Sequence, residues 1–372
     1  MSESKQSLLF IPDITGFTDF VNQTEIEHGQ HIISELLELI IDSNTLGLKV
    51  SEIEGDAVLF YKEGEIPPLK DIIAQAELMF LNFHNHLRRY ENQRICHCGA
   101  CSTANNLSLK IIAHAGKIGF TQVKKQRKPY GAGMILVHKL LKNSVPIDEY
   151  LLLTEACLDS LDCNTSDQPA WVKLEAGKDS YDKIGEVNFQ YSDLSPLHQF
   201  VSTPEPVVSP KKMAKPIEKE LIIESPFDKV YDIVTNLEMR LRWNAGVDEL
   251  VFDKDRVNRV GTRHKCVFHG TGKFLDFETV TDPSLGEDQV VFGERVLNFP
   301  FMVEANNYYI MDRIDEHHTK IKFEFHYHPK PFIGWIMAPI MRKKISKQVD
   351  GLLQQLKDAC EANEDAAPAK SA

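Results

Sequence analysis

Two aspartates at the ends of strand-like segments are candidates for binding a metal ion. Asp13 follows the apolar run "LLFIP", and Asp56 lies in "EGDAV" between two further strand-like segments. If these strands are neighbours, the carboxylates and a nearby backbone carbonyl form a hard oxygen site suited to Mg²⁺ or Mn²⁺ carrying phosphate. Amides at the following helix start are placed to bind phosphate oxygens; they belong to Ile14, Thr15, Gly16 and Phe17. In the alternative, Asp13 and Thr15 only cap that helix.

A second candidate metal site is the run "CHCGAC", which contains Cys96, Cys98 and Cys101. Thiolates at this spacing around a glycine can reach one Zn²⁺, but a closed structural site needs a fourth ligand. The candidates for it are His97, His84, His86 and a distant cysteine such as Cys157 or Cys163. The alternative is three reduced thiols in a loop, and the pattern leaves both open.

The elements that must position the aspartates occupy residues 7–191. Apolar spacing predicts a strand, a helix, two strands joined at Gly55–Asp56, a long helix over 69–94, and a strand over 107–116 followed by another over 117–125. This is the ferredoxin-like order, an antiparallel sheet with helices on one face. The first and third strands are central neighbours there, so Asp13 and Asp56 converge. The fold class is therefore α+β.

The rest of the chain predicts a second domain. Residues 192–215 are rich in proline and serine without periodicity, which is typical of an interdomain linker. Residues 216–361 contain a strand, a short helix, some six further strand-like stretches and one long helix from about 331. The tail, 362–372, is expected to be disordered.

Composition narrows the functional classes. A formal net charge of −12 over 372 residues argues against non-specific nucleic-acid binding, so we expect no nucleic-acid partner. The N-terminus is polar without a signal-peptide pattern, and the apolar run at 332–341 is too short to span a bilayer. The seven cysteines are not spaced as a disulfide framework. The sequence therefore predicts a cytoplasmic location.

The first domain resembles the class III nucleotide cyclases over roughly residues 7–160. "DITGFT" (13–18) and "EGDAV" (54–58) are similar to that family's two metal motifs, "IIAHAGKIGF" (111–120) to its glycine-containing strand pair, and the helix at 131–143 to its last motif. The resemblance implies that Asp13 and Asp56 bind two metal ions, one activating the ribose hydroxyl and the other holding the triphosphate of a nucleoside triphosphate. It also implies a head-to-tail homodimer.

The same resemblance implies that cyclisation is weak or lost. The family's transition-state asparagine and arginine fall on Ile135 and Lys139, so Lys139 keeps the charge and Ile135 cannot donate a hydrogen bond. A two-residue shift of the alignment would place them on Val137 and Leu141. For base selection, Glu52 would suit guanine, while the partner position, Lys128, matches neither purine's pattern. In the alternative, Glu52 is a solvated residue or pairs with Lys128.

The second domain resembles the START-like helix-grip superfamily, on "SPFDKVYDIV" (225–234), "RWNAGV" (242–247) and the order of elements. The resemblance implies a curved sheet around the long helix, with a cavity for a hydrophobic small molecule or lipid. Cavity lining and ordinary core packing are both open for four aromatic residues, which are Trp243, Phe268, Phe277 and Tyr309.

The leading functional prediction is a regulatory protein. Its first domain would bind a metal–nucleotide with little or no cyclase activity, and its second would bind an apolar ligand. One alternative is an active nucleotide cyclase controlled by the second domain. Another is a lipid-binding protein that the first domain only dimerises.

Overall fold

The computed structural model divides the chain into two compact units, each described here by itself. Unit 1 comprises Met1–Asn92 and Cys98–Pro204, and unit 2 comprises Gln93–His97 and Glu205–Ala372. The structure describes residues 4–24, 26–92, 95, 99–124, 126–161, 168–202, 215–254, 258–269, 273–281, 289–299, 302–331 and 333–362. Among these residues, no helix is both long and apolar enough to cross a membrane.

Unit 1 contains eight strands in one sheet, with order β2-β3-β1-β4-β6-β8-β7 and with β5 paired to β4. Among the first four strands of that order, each strand is antiparallel to its neighbours, which is the predicted ferredoxin-like arrangement. β6 then pairs with β4 in parallel. The elements are β1 (Lys5–Thr15), α1 (Phe17–Gln23), α2 (Ile26–Asp42), β2 (Lys49–Glu54), β3 (Ala57–Glu63), α3 (Leu69–Asn92), α4 (Gly99–Thr103), β4 (Ser108–Val123), β5 (Gln126–Tyr130), α5 (Ala132–Leu140), β6 (Tyr150–Thr154), α6 (Glu155–Leu158), β7 (Glu175–Tyr181) and β8 (Gly185–Asp193).

Helices cover both faces of this sheet, although one covered face was expected. Leu9 and Ile11 of β1 pack with Val137 of α5 in one cluster. Leu8 and Phe10, which point to the other face because side chains alternate along a strand, are also fully buried. That face is covered by α2 and α3, which pack on β3 and β4. The near-continuous apolar run of β1 is the sequence signature of a strand buried on both sides.

The predicted strand pair at 107–125 is a single 16-residue strand, β4, with β5 returning along its second half. Gly116 therefore does not mark a turn. A Cβ atom there would lie 2.9 Å from His114 Nε2, so the glycine makes room for that ring. The turn comes later, near Lys124, whose φ is 54°.

The segment predicted as a linker begins with ordered structure in unit 1. β8 extends to Asp193, and a 3₁₀ turn follows over Ser195–Phe200 with Leu197 fully buried. Residues 203–214 of the predicted linker lie outside the described residues.

Unit 2 has a seven-stranded antiparallel sheet with order β10-β11-β12-β13-β14-β15-β9. Its elements are β9 (Ile217–Ile223), α7 (Phe227–Thr235), α8 (Arg240–Trp243), β10 (Val247–Val251), β11 (Arg263–Phe268), β12 (Phe274–Val280), β13 (Val290–Val296), β14 (Met302–Arg313), β15 (Thr319–Pro329) and α9 (Ile333–Glu361). The long helix α9 packs its apolar stripe, including Val349, Leu353 and Leu356, into the core of the sheet. The first strand, the six further strands and the closing helix are present as predicted. The predicted disordered tail lies outside the described residues beyond Ala362.

Candidate functional site

The two candidate metal-binding aspartates lie on adjacent strands. Asp13 of β1 pairs with Ala57 of β3, and Asp56 immediately precedes that residue in the β2–β3 turn. The backbone amide of Ile14 donates a hydrogen bond to the Asp56 carbonyl at 3.0 Å, which ties the turn to the end of β1. Gly55 supplies the positive φ, 62°, that the two-residue hairpin needs. The fold thus places the two aspartates beside each other at one end of the sheet.

A lysine that sequence reasoning missed completes this cluster. Lys110 stands opposite Asp13 in the β1–β4 ladder, and its Nζ lies 2.8 Å from Asp13 Oδ2. The signal was present in "LSLKII", where Lys110 interrupts an apolar strand. Without the register between β1 and β4, however, nothing in the sequence linked it to Asp13.

Burial and the charges of their neighbours together set the pKa values of Asp13, Asp56 and Lys110. It raises the pKa of Asp13 to about 6, with the charge of Lys110 opposing that rise and the charge of Asp56 adding to it. Burial also raises the pKa of Asp56. For Lys110, burial is outweighed by Asp13, so its pKa is raised and it stays protonated. One ammonium beside two carboxylates leaves negative charge to be neutralised, and the oxygen donors are of the type that fits Mg²⁺ or Mn²⁺.

The phosphate-binding amides predicted at Ile14–Phe17 need correction at their start. β1 continues through Thr15, because it pairs with β4 to its end. The Ile14 amide is not free for phosphate, since it already donates to the Asp56 carbonyl. The helix α1 begins at Phe17 after Gly16, whose φ is 87°. The Thr15 hydroxyl donates to the Asp148 carbonyl at 3.3 Å. Gly16 and Phe17 are thus the members of the set that stand at the helix start.

The two residues that the cyclase resemblance predicts to act on the transition state, Ile135 and Lys139, lie on α5. Ile135 and Lys139, four residues apart, are both exposed, and Ile135 is 58% exposed. Val137, the asparagine slot under the shifted alignment, is fully buried in the core. Ile135 and Lys139 are therefore accessible to a partner molecule, and Val137 is not.

Glu52 has a different partner from the one considered from sequence. Its carboxylate lies 3.4 Å from His138 Nε2 on α5, and Glu54 lies 3.3 Å from Nδ1 of the same ring. Lys128 is exposed on β5, where it stands opposite Thr121. Glu52 is therefore held beside α5 by a histidine that the sequence did not single out.

The predicted cysteine site falls largely outside the described residues, which omit Cys96, Cys98, His97 and Cys163. Cys101 is buried in α4, and Cys157 is buried in α6. The two histidines offered as a fourth ligand face carboxylates instead. His86 Nε2 lies 2.8 Å from Glu35, and His84 Nε2 lies 3.0 Å from Glu149.

The aromatic residues proposed to line a cavity in unit 2 take different positions. Trp243 and Tyr309 are buried in the main core, where the Trp243 indole donates to the Ile233 carbonyl at 3.0 Å. Phe268 and Phe277 are partly buried against a smaller cluster around Leu250. Core packing thus accounts for Trp243 and Tyr309.

Unit 2 also contains a buried charged cluster that sequence reasoning missed. Glu294 of β13, 1% exposed, lies 2.8 Å from Arg240 Nη2 and 3.1 Å from His264 Nε2. Asn307 donates a further hydrogen bond to it at 3.1 Å. Although burial alone would raise it, the pKa of Glu294 is held far below its usual range by Arg240 and His264. The interior of unit 2 therefore includes a polar centre.

The fold and site define a two-unit α+β protein whose first sheet carries paired carboxylates. A protein of Mycobacterium tuberculosis (strain ATCC 25618 / H37Rv), "Uncharacterized protein Rv2561/Rv2562", is 30% identical over 163 residues, which are 44% of this chain and 74% of that protein. The chain belongs to the family of this mycobacterial protein. The family model described as "Protein of unknown function (DUF2652)" matches residues 33–150.

Solved structures of two kinds are similar to the chain. The adenylyl cyclase CyaB from P. aeruginosa is 12% identical with a TM-score of 0.36, over 52% of this chain and 96% of that one. The protein TTHA0849 from Thermus thermophilus is 20% identical with a TM-score of 0.31, over 39% of this chain and 95% of that one. Scores this low assign no function to either unit.

Proposed function

We propose that unit 1 binds a nucleoside triphosphate together with Mg²⁺ or Mn²⁺ at Asp13 and Asp56, and that it cyclises the nucleotide weakly or not at all. The observation that supports this proposal is the position of Asp13 and Asp56 beside each other in the β1–β3 pair, where the Ile14 amide donates a hydrogen bond to the Asp56 carbonyl. Asp13 is buried and Asp56 is half-buried, and carboxylates withdrawn from water beside a single lysine are costly unless a further cation joins them.

The other residues of unit 1 have roles in keeping with this proposal. Lys110 neutralises part of the charge at Asp13 and would offer its ammonium group to a phosphate oxygen of the nucleotide. Glu52, positioned by His138, would accept hydrogen bonds from a purine edge, with guanine as the better match. Gly16 and Phe17 would supply amides to phosphate, and Lys128 remains a candidate base contact. The resemblance to class III cyclases gives these residues their roles.

Weak or absent cyclisation rests on α5. Ile135 offers no hydrogen-bond donor, and Lys139 offers a point charge in place of a fork. Loss of one transition-state donor typically lowers turnover by about 100- to 1,000-fold. The same face of α5 is exposed and carries the apolar Ile135, in keeping with a homodimer formed through unit 1.

Unit 2 completes the proposed regulator as a START-like domain that binds a hydrophobic small molecule or lipid and acts in signalling. Its antiparallel sheet and its long closing helix, α9, support the assignment. Cytoplasmic location and a Zn²⁺ site at Cys96, Cys98 and Cys101 belong to the same proposal.

Nucleotide binding and product formation should be measured separately. Purified full chain is titrated with Mn²⁺ and a fluorescent GTP or ATP analogue, and the unlabelled nucleotides are then incubated and analysed for cyclic product. We expect Mn²⁺-dependent binding with little product. Asp13→Asn should weaken binding because it removes an anionic ligand, while Asp19→Asn, at an exposed position on α1, is the matched control.

Each alternative predicts a different outcome of this experiment. Rapid formation of cyclic nucleotide would establish the active cyclase. Absence of nucleotide binding, in a protein that is dimeric and extracts lipid from vesicles, would establish the lipid-binding protein dimerised by unit 1.

A further inference from the structure

Unit 1 contains a second cluster of ligand-type side chains, apart from the paired aspartates. His84 projects from α3, Glu149 directly precedes β6, and His198 lies in the 3₁₀ turn Ser195–Phe200. One ring nitrogen of each histidine and one carboxylate oxygen all lie within 4.8 Å of one another. Three elements widely separated in sequence thus bring two imidazoles and a carboxylate to one point.

The distances within the cluster resemble those between ligands of one ion. Glu149 uses both oxygens: Oε1 lies 3.0 Å from His84 Nε2, and Oε2 lies 2.7 Å from His198 Nε2. Ligand atoms about 2.0–2.1 Å from a tetrahedral ion are roughly 3.3 Å apart, since the angle at the metal is about 109°. A small movement of the histidines would therefore admit an ion between the three side chains.

The orientation of His84 distinguishes this cluster from an ordinary hydrogen-bonded pair. The side chain is 8% exposed, and its Nε2 atom is buried without a well-aligned hydrogen bond, despite the 3.0 Å separation from Glu149. A buried polar atom without such a bond usually has a missing partner, such as a water molecule or an ion. The nitrogen lies within 4.8 Å of the other two ligand atoms, so one cation could contact all three.

Protonation states are compatible with metal binding. Burial lowers the pKa of His84, so its ring is neutral at pH 7 and has a lone pair to donate. Burial alone would raise the pKa of Glu149, but the two neighbouring histidines lower it, so the carboxylate is ionised. Metal ligands must be in these forms.

The surroundings leave one side of the cluster open. Phe80 and Phe83 pack against the His84 ring, with centroid distances of 4.3 and 5.2 Å, and form an apolar wall. The other side faces a cleft of about 630 Å³ whose lining includes Asp148 and Asp193. Three protein ligands with an accessible fourth position are typical of zinc sites that bind an exogenous group.

We propose that His84, Glu149 and His198 bind one divalent ion of the zinc class, with its open coordination position directed into this cleft. Imidazole nitrogen selects Zn²⁺, Co²⁺, Ni²⁺ or Fe²⁺ over Mg²⁺ and Ca²⁺, which prefer oxygen ligands. Glu149 is adjacent to Tyr150, whose side chain packs in the cluster on the α5 face. His84 lies on α3, which covers the other face of the sheet, whereas Asp13 shares the α5 face with Leu9 and Ile11, so the site is separate from the paired aspartates.

Cobalt offers the sharpest test, because its absorption spectrum reports the ligands. Chelator-treated full chain is titrated with Co²⁺ in an Asp13→Asn, Cys96→Ser and Cys98→Ser background, which removes ligands from both the paired aspartates and the proposed cysteine site. We expect one Co²⁺ per chain with d–d bands but without thiolate-to-cobalt charge transfer, and displacement by Zn²⁺. His198→Ala and Glu149→Gln should each weaken binding by at least about 10- to 100-fold, the loss that even outer-shell partners cause.

Controls keep the test decisive. His198 is 40% exposed, so His198→Ala should fold, which circular dichroism verifies. His318→Ala removes an exposed histidine 2.8 Å from a single carboxylate, Asp315, and should leave Co²⁺ affinity unchanged. No Co²⁺ binding, a thiolate spectrum, or equal affinity in His198→Ala would overturn the proposal, and the three residues would then be a hydrogen-bonded His–Glu–His cluster.

Discussion

Lys110 and Asp13 face each other across the β1–β4 ladder, with Nζ 2.8 Å from Oδ2. The ammonium group therefore occupies one side of the carboxylate that is proposed to bind a metal ion. A fixed cation repels a second cation that binds nearby. Two unit charges about 4 Å apart repel each other by about 4 kcal/mol at an effective dielectric constant near 20. A metal ion at Asp13 would therefore compete with Lys110, and the negative charge of a bound triphosphate would offset that repulsion.

Lys110→Met should separate these two effects. Removing the competing charge should tighten the binding of Mn²⁺ alone, on the order of tenfold, which corresponds to about 1.4 kcal/mol. Binding of the Mn²⁺–nucleotide complex should weaken, because a cation within reach of phosphate is lost. Mn²⁺ affinity is measured by electron paramagnetic resonance of the free ion, and nucleotide affinity by fluorescence. Weaker binding of Mn²⁺ alone would show that Lys110 supports the carboxylate instead of competing for it.

Ile135→Asn combined with Lys139→Arg should raise any cyclase turnover. Both groups would act on charge that develops in the transition state, and restoring one such donor is worth about 100-fold. Both positions are exposed, so the double variant should fold normally. Cyclic product formed from Mn²⁺–GTP and Mn²⁺–ATP is quantified by chromatography.

Two comparisons guard the interpretation of that variant. Ile135→Ala with Lys139→Arg introduces the arginine guanidinium without the asparagine amide, so its turnover should rise less. Val137→Asn should instead destabilise unit 1, because Val137 is fully buried. Equal turnover in the double variant and the unaltered chain would remove α5 from the proposed site.

His114 should make the stability of unit 1 depend on pH. Burial lowers its pKa from 6.5 to about 4. The ring therefore stays neutral in the folded protein, where Nδ1 lies 2.9 Å from the Thr154 hydroxyl, while an unfolded chain takes up a proton below pH 6.5. The stability that His114 contributes by staying neutral is fully present above pH 6.5 and is lost as pH falls towards 4. Between pH 7 and pH 5 the loss is at most about 2 kcal/mol.

The measurement for His114 is hydrogen exchange of β4 amides at pH 7 and pH 5, corrected for intrinsic rates. His114→Gln keeps a hydrogen-bonding side chain without titrating in this range, so its protection should change less with pH. His31→Gln, on α2, serves as the comparison. Identical pH dependence in His114→Gln and the unaltered chain would contradict the assignment.

The helices and strands could be predicted where the local sequence signals are strong. Site residues could be predicted only where their positions depend on local sequence. The apolar run before Asp13 and the Gly55–Asp56 turn predict a strand and a hairpin without tertiary information, and ferredoxin-like order then places the aspartates together. Lys110 depends on the register between β1 and β4, which no local pattern specifies. The cluster of His84, Glu149 and His198 joins residues up to 114 positions apart, because a helix, a loop and a 3₁₀ turn meet.

The position of α5 shows the same limit. Its apolar spacing predicts a helix, but the face it covers depends on the path of β5. The buried cluster at Glu294 was equally hidden, since a glutamate in "VVFGERV" reads as the exposed half of an alternating strand. Its burial follows from Arg240 on α8, which is 54 residues away.

Glu294→Gln should strongly destabilise unit 2. Arg240 is 4% exposed, and the substitution leaves its charge without an anionic partner in the interior. Breaking one side of a buried ion pair typically costs about 3–5 kcal/mol. The pKa of Glu294 is lowered on folding, so its contribution is present above pH 4.5, the value for an unshifted glutamate, and declines as pH falls below that.

The informative comparison replaces the whole cluster. Arg240→Met, Glu294→Leu and His264→Phe together remove every charge, and such apolar replacements are often neutral or stabilising. Urea unfolding at pH 7, followed by hydrogen exchange of β13 and β14, should therefore rank the triple variant near the unaltered chain and Glu294→Gln well below it. A triple variant that is stable but no longer retains a hydrophobic ligand would show that the charges serve recognition. If Glu294→Gln unfolds at the same urea concentration as the unaltered chain, the ion pair does not hold the interior of unit 2 together.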